Sequence, residues 1–208
     1  MNDIEKKYVY DTYKIISKHF NDSRAYLWES VKEFIESIPK YSIILEVGSG
    51  NGKNLNKNDS FNIAIDLCPD FCKISNNKNI ETICGNNLQL PNKDNSIDYI
   101  LSIAVVHHLS TYDRRLKCIS ELIRVLKPNG RLLIQVWALE QPKKSRRKFV
   151  KQENLVEYKS PDKTISELRY YYVFKKGELE EMLNIFNLKI IFSKWEYGNW
   201  VVLVEKIN

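Results

Sequence analysis

The chain has only three histidines and four cysteines, none of them in C-x-x-C spacing, and no apolar run near the ~18 residues that cross a bilayer. So few histidines leave little material for a metal centre built from imidazoles. The cysteines are Cys68, Cys72, Cys84 and Cys118. Only Cys68 and Cys72 are close in sequence, and their gap reads as incidental in a reduced chain. No metal is expected. No Ser-His-Asp constellation and no internal repeat is evident, and no charged-then-apolar segment of the secretory type opens the sequence. The expectation is a soluble protein of the cytoplasm, with the nucleus left open.

What is present is the composition of a folded globule: 208 residues, 43% hydrophobic and 12% aromatic. One domain over 1–208 is the simplest organisation. The net charge of +6 is concentrated. Between Lys143 and Lys159, seven cations (Lys143, Lys144, Arg146, Arg147, Lys148, Lys151 and Lys159) face Glu153 and Glu157 alone. A solvated loop accounts for such a segment, and so does a patch that collects a polyanion.

Apolar periodicity over Asp11–Ser37 predicts a helical N-terminal segment (1–38), broken near Asn21-Asp22-Ser23 and closed by Pro39. Strands follow at about 43–47, 62–66 and 80–84, with a helix begun near Pro69. A turn at Pro91–Ser96 leads into a strand, Ile97–Ile103. Thr111–Leu126 is amphipathic and is stopped by Lys127-Pro128-Asn129-Gly130 before a strand at Arg131–Trp137. Residues 140–168 are basic, lack clear periodicity and read as an insertion or lid. Lys176–Phe186 reads as helix. Leu188–Glu196 and Trp200–Lys206 read as a hairpin turned at Tyr197-Gly198-Asn199. The order implies an α/β fold: a seven-stranded, mostly parallel sheet with one antiparallel strand and helices on both faces. The strand Ile80–Cys84 should form an edge able to accept another chain.

Glu46-Val-Gly-Ser-Gly-Asn-Gly52 follows the first strand. Gly48, Gly50 and Gly52 alternate, which lets a turn bend sharply and its backbone meet a ligand. A G-x-G-x-x-G dinucleotide turn would need glycine where Lys53 stands. The stretch resembles instead the S-adenosylmethionine loop of Rossmann-like class I methyltransferases. Cofactor-binding candidates are therefore Glu46, Gly48, Ser49, Gly50, Gly52 and Asp66, the last ending the second strand where it can accept both ribose hydroxyls. Asn86 and Asn87 join them as partners for adenine, and Ser102 opens the stretch that should line the cleft.

Longer stretches resemble a narrower family, the eukaryotic methyltransferases of the tRNA wobble carboxymethyluridine. They are Val9-Tyr-Asp11, His19-Phe20 with Ser23-Arg24 and Trp28, Val47–Lys53, Ser102-Ile-Ala-Val-Val-His-His-Leu-Ser110 with Arg114-Arg115, Trp137-Ala-Leu-Glu-Gln141, Arg169-Tyr-Tyr-Tyr172 and Phe174-Lys-Lys-Gly-Glu-Leu179. The family usually has Cys at Ser49 and Asp at Asn86; the second departure puts the adenine contact in question. The resemblance implies methylation of the carboxylate of 5-carboxymethyluridine at position 34, with a small zinc-binding activator as heterodimer partner. Such a carboxylate is ionised at neutral pH and needs no general base. Arg24, His107 and His108 are the catalytic candidates. Lys143, Lys144, Arg146, Arg147, Arg169 and Tyr170 are those for tRNA, the last two offering a cation and a ring to an unpaired anticodon base. A small-molecule or protein-carboxyl methyltransferase, and a catalytically silent RNA-binding protein of the same fold, are the alternatives.

Overall fold

The computed structural model describes residues 1–22, 27–55 and 59–208, the side chains of 18–22 excepted. Arg24 lies outside the described residues, as does the side chain of His19.

Seven strands form one sheet: β1 (Ile43–Val47), β2 (Phe61–Asp66), β3 (Glu81–Cys84), β4 (Ile97–Ile103), β5 (Leu126–Trp137), β8 (Leu188–Glu196) and β9 (Asn199–Lys206). Their order is β3-β2-β1-β4-β5-β9-β8. β1 to β5 pair in parallel, and β9 runs antiparallel to both β5 and β8. β3 stands at one edge, as its sequence position predicts. Chain order reverses between β1 and β4, so the cleft of such a sheet opens beyond the carboxyl ends of these strands.

Period-two alternation sends the strand side chains to two cores. Leu45, Val47, Ile100, Leu132 and Ile134 pack under α5 (Tyr112–Val125) and α6 (Glu178–Leu183). Ile44, Ala64, Leu101, Ile103 and Leu133 pack with Val31, Phe34 and Ile35 of α3 (Glu29–Ser37). α5 begins where the Thr111 hydroxyl accepts the Arg114 N–H at 3.3 Å. The β8–β9 turn has φ of 46° at Tyr197 and 84° at Gly198, the pair of left-handed residues that a two-residue hairpin needs. No described helix is long and apolar enough to cross a membrane.

Two expectations need correction. The helical start lies earlier than Asp11: α1 (Asp3–Glu5) is capped by the Asn2 side chain and runs through a π-helical stretch, Lys6–Asp11, into α2 (Thr12–Asp22). Residues 140–168 are not without strands. β6 (Glu153–Lys159) and β7 (Ser166–Tyr172) make an antiparallel ribbon. Its alternation is hidden in the sequence because the more buried positions of β6 are Asn154, Val156 and Tyr158, while apolar Leu155 faces outward.

Candidate functional site

The turn after β1 is built from three left-handed glycines, with φ of 73°, 54° and 69° at Gly48, Gly50 and Gly52. A Cβ on Gly48 would lie 2.3 Å from Val105 Cγ2 in the loop after β4. A Cβ on Gly50 would meet nothing within 4 Å. The first glycine thus lets two strand-end loops touch, and the second keeps backbone exposed toward open space.

Asp66 ends β2 and fastens that turn. Its Oδ2 accepts the Gly50 N–H and its Oδ1 the Cys68 N–H, each at 2.8 Å. Burial raises its carboxyl above the ordinary aspartate range, while these backbone N–H groups oppose the shift. Each carboxylate oxygen keeps acceptor capacity for a ligand hydroxyl. Glu46, at the foot of the turn, is buried and bonded through Oε1 to the Asn54 amide. Burial pushes its carboxyl up to about 8. Its Oε2 and the Ser49 hydroxyl are buried without a hydrogen-bond partner, and both residues line the cleft. An unsatisfied carboxylate beside an acid held by two N–H groups fits a ligand that carries an ammonium group and a vicinal diol.

Asn86 and Asn87 line the same cleft after β3. The Asn86 Oδ1 accepts the Leu88 N–H at 2.9 Å, which leaves its amide N–H groups to face a ligand. Ser102 requires correction. It is 0% exposed and does not line the cleft, because strand alternation turns it inward while Ile103 faces the opening. Gly52 is a packing residue, with the Ser75 and Ile80 side chains within 3 Å of where its Cβ would stand.

The opposite wall is aromatic. An N–H from Trp137 ends on His107 Nδ1 at 3.0 Å, so that nitrogen carries a lone pair and the ring proton sits on Nε2. His108 has the other tautomer. Its Nδ1–H donates to the Tyr170 carbonyl at 2.8 Å, and its Nε2 faces the Tyr13 hydroxyl at 2.9 Å. The two imidazoles meet edge to face with centroids 4.6 Å apart. Their nitrogens hold the wall together. Among the described residues, no group of three His, Cys, Asp or Glu side chains is arranged to hold a metal.

Of the cleft residues, Tyr13 and Asn54 carry no local sequence signal, whereas Val105, Trp137 and Tyr171 fall in stretches quoted above. The N-terminal helix joins them through Glu5, which is buried and accepts from Arg114 Nε at 2.8 Å and from the Ser110 N–H at 2.8 Å. Lys143, Lys144, Arg146 and Arg147 are exposed. Arg169 and Tyr170 are 3% and 4% exposed and lie outside the cleft lining. The Arg169 guanidinium stacks toward Tyr158 and Tyr171, and the ring that reaches the cleft from this run is Tyr171.

Residues 45–134 match a family model described as a methyltransferase domain. A tRNA (carboxymethyluridine(34)-5-O)-methyltransferase of Schizosaccharomyces pombe is 35% identical over 225 residues, covering 97% of each chain. One from Arabidopsis thaliana is 46% identical over 140 residues, which are 67% of this chain and 35% of that longer protein. Among solved structures, a chain of the complex between the Haloferax volcanii Trm112 methyltransferase activator and a methyltransferase has the same fold. Its TM-score is 0.68 at 13% identity, over 97% of this chain and 98% of that one.

The raised Glu46 carboxyl makes a pH prediction. The folded protein holds the Glu46 proton that the unfolded chain releases above about 4.5, so this residue's contribution to stability falls as pH rises from about 4.5 to about 8. Asp66 acts with the same sign in any variant that retains it. Thermal melts across that window should show Glu46→Gln gaining on wild type with rising pH, by on the order of 1 kcal/mol or more. Parallel melting curves would contradict the assignment.

Proposed function

We propose, for a chain that belongs to the tRNA (carboxymethyluridine(34)-5-O)-methyltransferase family, that it methylates the carboxylate of 5-carboxymethyluridine at position 34 of tRNA, giving the methyl ester. S-adenosylmethionine, the methyl donor, supplies an electrophilic methyl group on a sulfonium when bound. Its ammonium, ribose diol and adenine match Glu46 with its unpartnered Oε2, Asp66, and the Asn86–Asn87 edge. The observation that carries the reading is the Asp66–Gly50 clasp across three left-handed glycines at the strand-order reversal.

The chemistry asks the protein to align an ionised oxygen with the methyl group and to exclude water, with no proton to remove. His107 and His108 suit that task as positioning groups, because His107 Nδ1 and both ring nitrogens of His108 are engaged in holding Trp137, Tyr170 and Tyr13. The Nε2–H of His107 is a donor of the kind that steadies an anionic oxygen. Arg24, from the resemblance, is the proposed cation for the carboxylate.

The exposed cations of 143–151 supply the proposed contact to the tRNA backbone. A small zinc-binding activator is the proposed partner at β3. Glu81, Ile83 and Cys84 are exposed there, and among the described residues this strand pairs only with β2. The same fold is found in complex with an activator in the Haloferax structure.

Incubation of the protein and activator with S-adenosylmethionine and carboxymethyl-bearing tRNA should yield the wobble-nucleoside methyl ester by mass spectrometry. Methyl transfer that is insensitive to RNase would redirect the activity to a small-molecule or protein carboxylate. Absence of cofactor binding would favour a silent RNA-binding protein. Neutralising Lys143, Lys144, Arg146 and Arg147 together should weaken tRNA binding at low salt and reduce the salt slope by about 0.7 per lost single-strand contact. Cofactor affinity should not change. Equal tRNA affinity at every salt concentration would remove the patch from the account.

A further inference from the structure

Trp137 ends β5 with its backbone N–H bonded to His107 Nδ1, and the residue lines the cleft. One face of the indole is filled by Tyr171, with ring centroids 3.9 Å apart and planes within 6°. The Arg147 guanidinium carbon lies 4.4 Å from the same indole centroid. Two groups at these distances cannot share one face, so Arg147 covers the other. Tyr171 is itself buried, whereas Arg147 belongs to an exposed loop, its backbone N–H bonded to the Ser145 hydroxyl at 3.1 Å. The two sides of the sandwich therefore differ in kind. One is core, and the other is a cation on a long stem that can leave the ring without opening the core.

The neighbouring tyrosines are committed elsewhere. Tyr170 is buried with its hydroxyl toward the Ser110 carbonyl. Tyr172 carries the Arg115 guanidinium 3.5 Å above its ring and bonds Glu178. Trp137 is thus a cleft-lining ring held between Tyr171 and Arg147. A guanidinium on an indole is a flat, polar-edged occupant, and a pyrimidine ring has the same shape and stacks by the same face.

We propose that Trp137 is the surface on which the wobble uracil ring stacks. Arg147 occupies that face in the free protein and moves aside to meet the substrate's negative charge. This rests on the reading of the cleft as a wobble-uridine site and adds to it the ring and the exchanging cation. The exchange suits the substrate, since the base that takes the ring carries a carboxylate and is flanked by phosphates, either of which receives the displaced guanidinium.

The test uses the full chain with its activator and two anticodon stem-loop RNAs, one with 5-carboxymethyluridine and one with 5-iodouridine at the wobble position. Irradiation of the iodouridine complex should place the adduct on Trp137, identified by peptide mass spectrometry. At saturating RNA, Arg147→Ala should give at least the wild-type yield of that adduct. Trp137→Leu should raise the KM for the carboxymethyl stem-loop by about 5- to 150-fold, and Trp137→Phe, which keeps a ring, by much less. Calorimetry with S-adenosylmethionine confirms that each variant is folded. An adduct on Tyr170–Tyr172, an adduct yield that falls in Arg147→Ala at saturating RNA, or an unchanged KM in Trp137→Leu would overturn the proposal while leaving the methyltransferase reading intact. Wild-type protein that binds the methyl donor and never methylates the carboxymethyl stem-loop would overturn both.

Discussion

The hydrogen bond from the Gly50 N–H to Asp66 Oδ2 joins the turn after β1 to the end of β2. The turn sits where the strand order of the sheet reverses, and β2 is the neighbour of β1 on the other side. The bond exists because Gly50 adopts a φ of 54° and offers its N–H to the acid across the turn. A hydrogen bond to a charged acceptor contributes on the order of 1.5–3 kcal/mol, and more is lost when a buried acid is left without its donor. The second N–H, from Cys68, holds the other oxygen and starts α4 (Pro69–Asn76). One side chain thus ties together the loop, the strand end and the start of the following helix.

The facing wall obeys a different constraint. His107 and His108 are adjacent, yet they settle in opposite tautomers because one must accept from a backbone N–H and the other must donate to a backbone carbonyl. The result is an aromatic wall of Tyr13, His107, His108, Trp137 and Tyr171 whose polar atoms are largely turned to structural partners. Among the described residues, the carboxyl groups that line the cleft are those of Glu46, Asp66 and Glu5, the last paired with Arg114. A site of this composition suits the proposed cationic donor, and the proposed chemistry asks for little proton transfer because its acceptor arrives ionised.

Features carried by local sequence were legible. The alternating glycines, the strand-ending acid, the edge position of β3 and the Tyr197-Gly198 hairpin each follow from a few adjacent residues. Features made by chain reversal were not. Glu5 meets Arg114, and Trp137 meets both Tyr171 and Arg147, across separations that no local pattern encodes. Ser102 was misread because a motif in a strand alternates between two faces. Arg169 and Tyr170 were offered to an unpaired anticodon base, although a tyrosine run is by composition more often strand packing, and in the ribbon with β6 Arg169, Tyr170 and Tyr171 are buried. The ribbon itself escaped notice because its apolar Leu155 and Leu168 face outward, 47% and 42% exposed.

Asp66 clasps the glycine turn, and the proposed function has the same carboxylate grasp the donor's ribose. Calorimetric titration of S-adenosylmethionine into wild type and Asp66→Asn tests it directly. Asparagine keeps one acceptor oxygen for the Gly50 N–H and loses the charge-assisted pair for the diol. The account predicts a folded variant whose affinity falls by more than about tenfold, the loss of at least one hydrogen bond to a charged group. Equal affinity in the two proteins would contradict it.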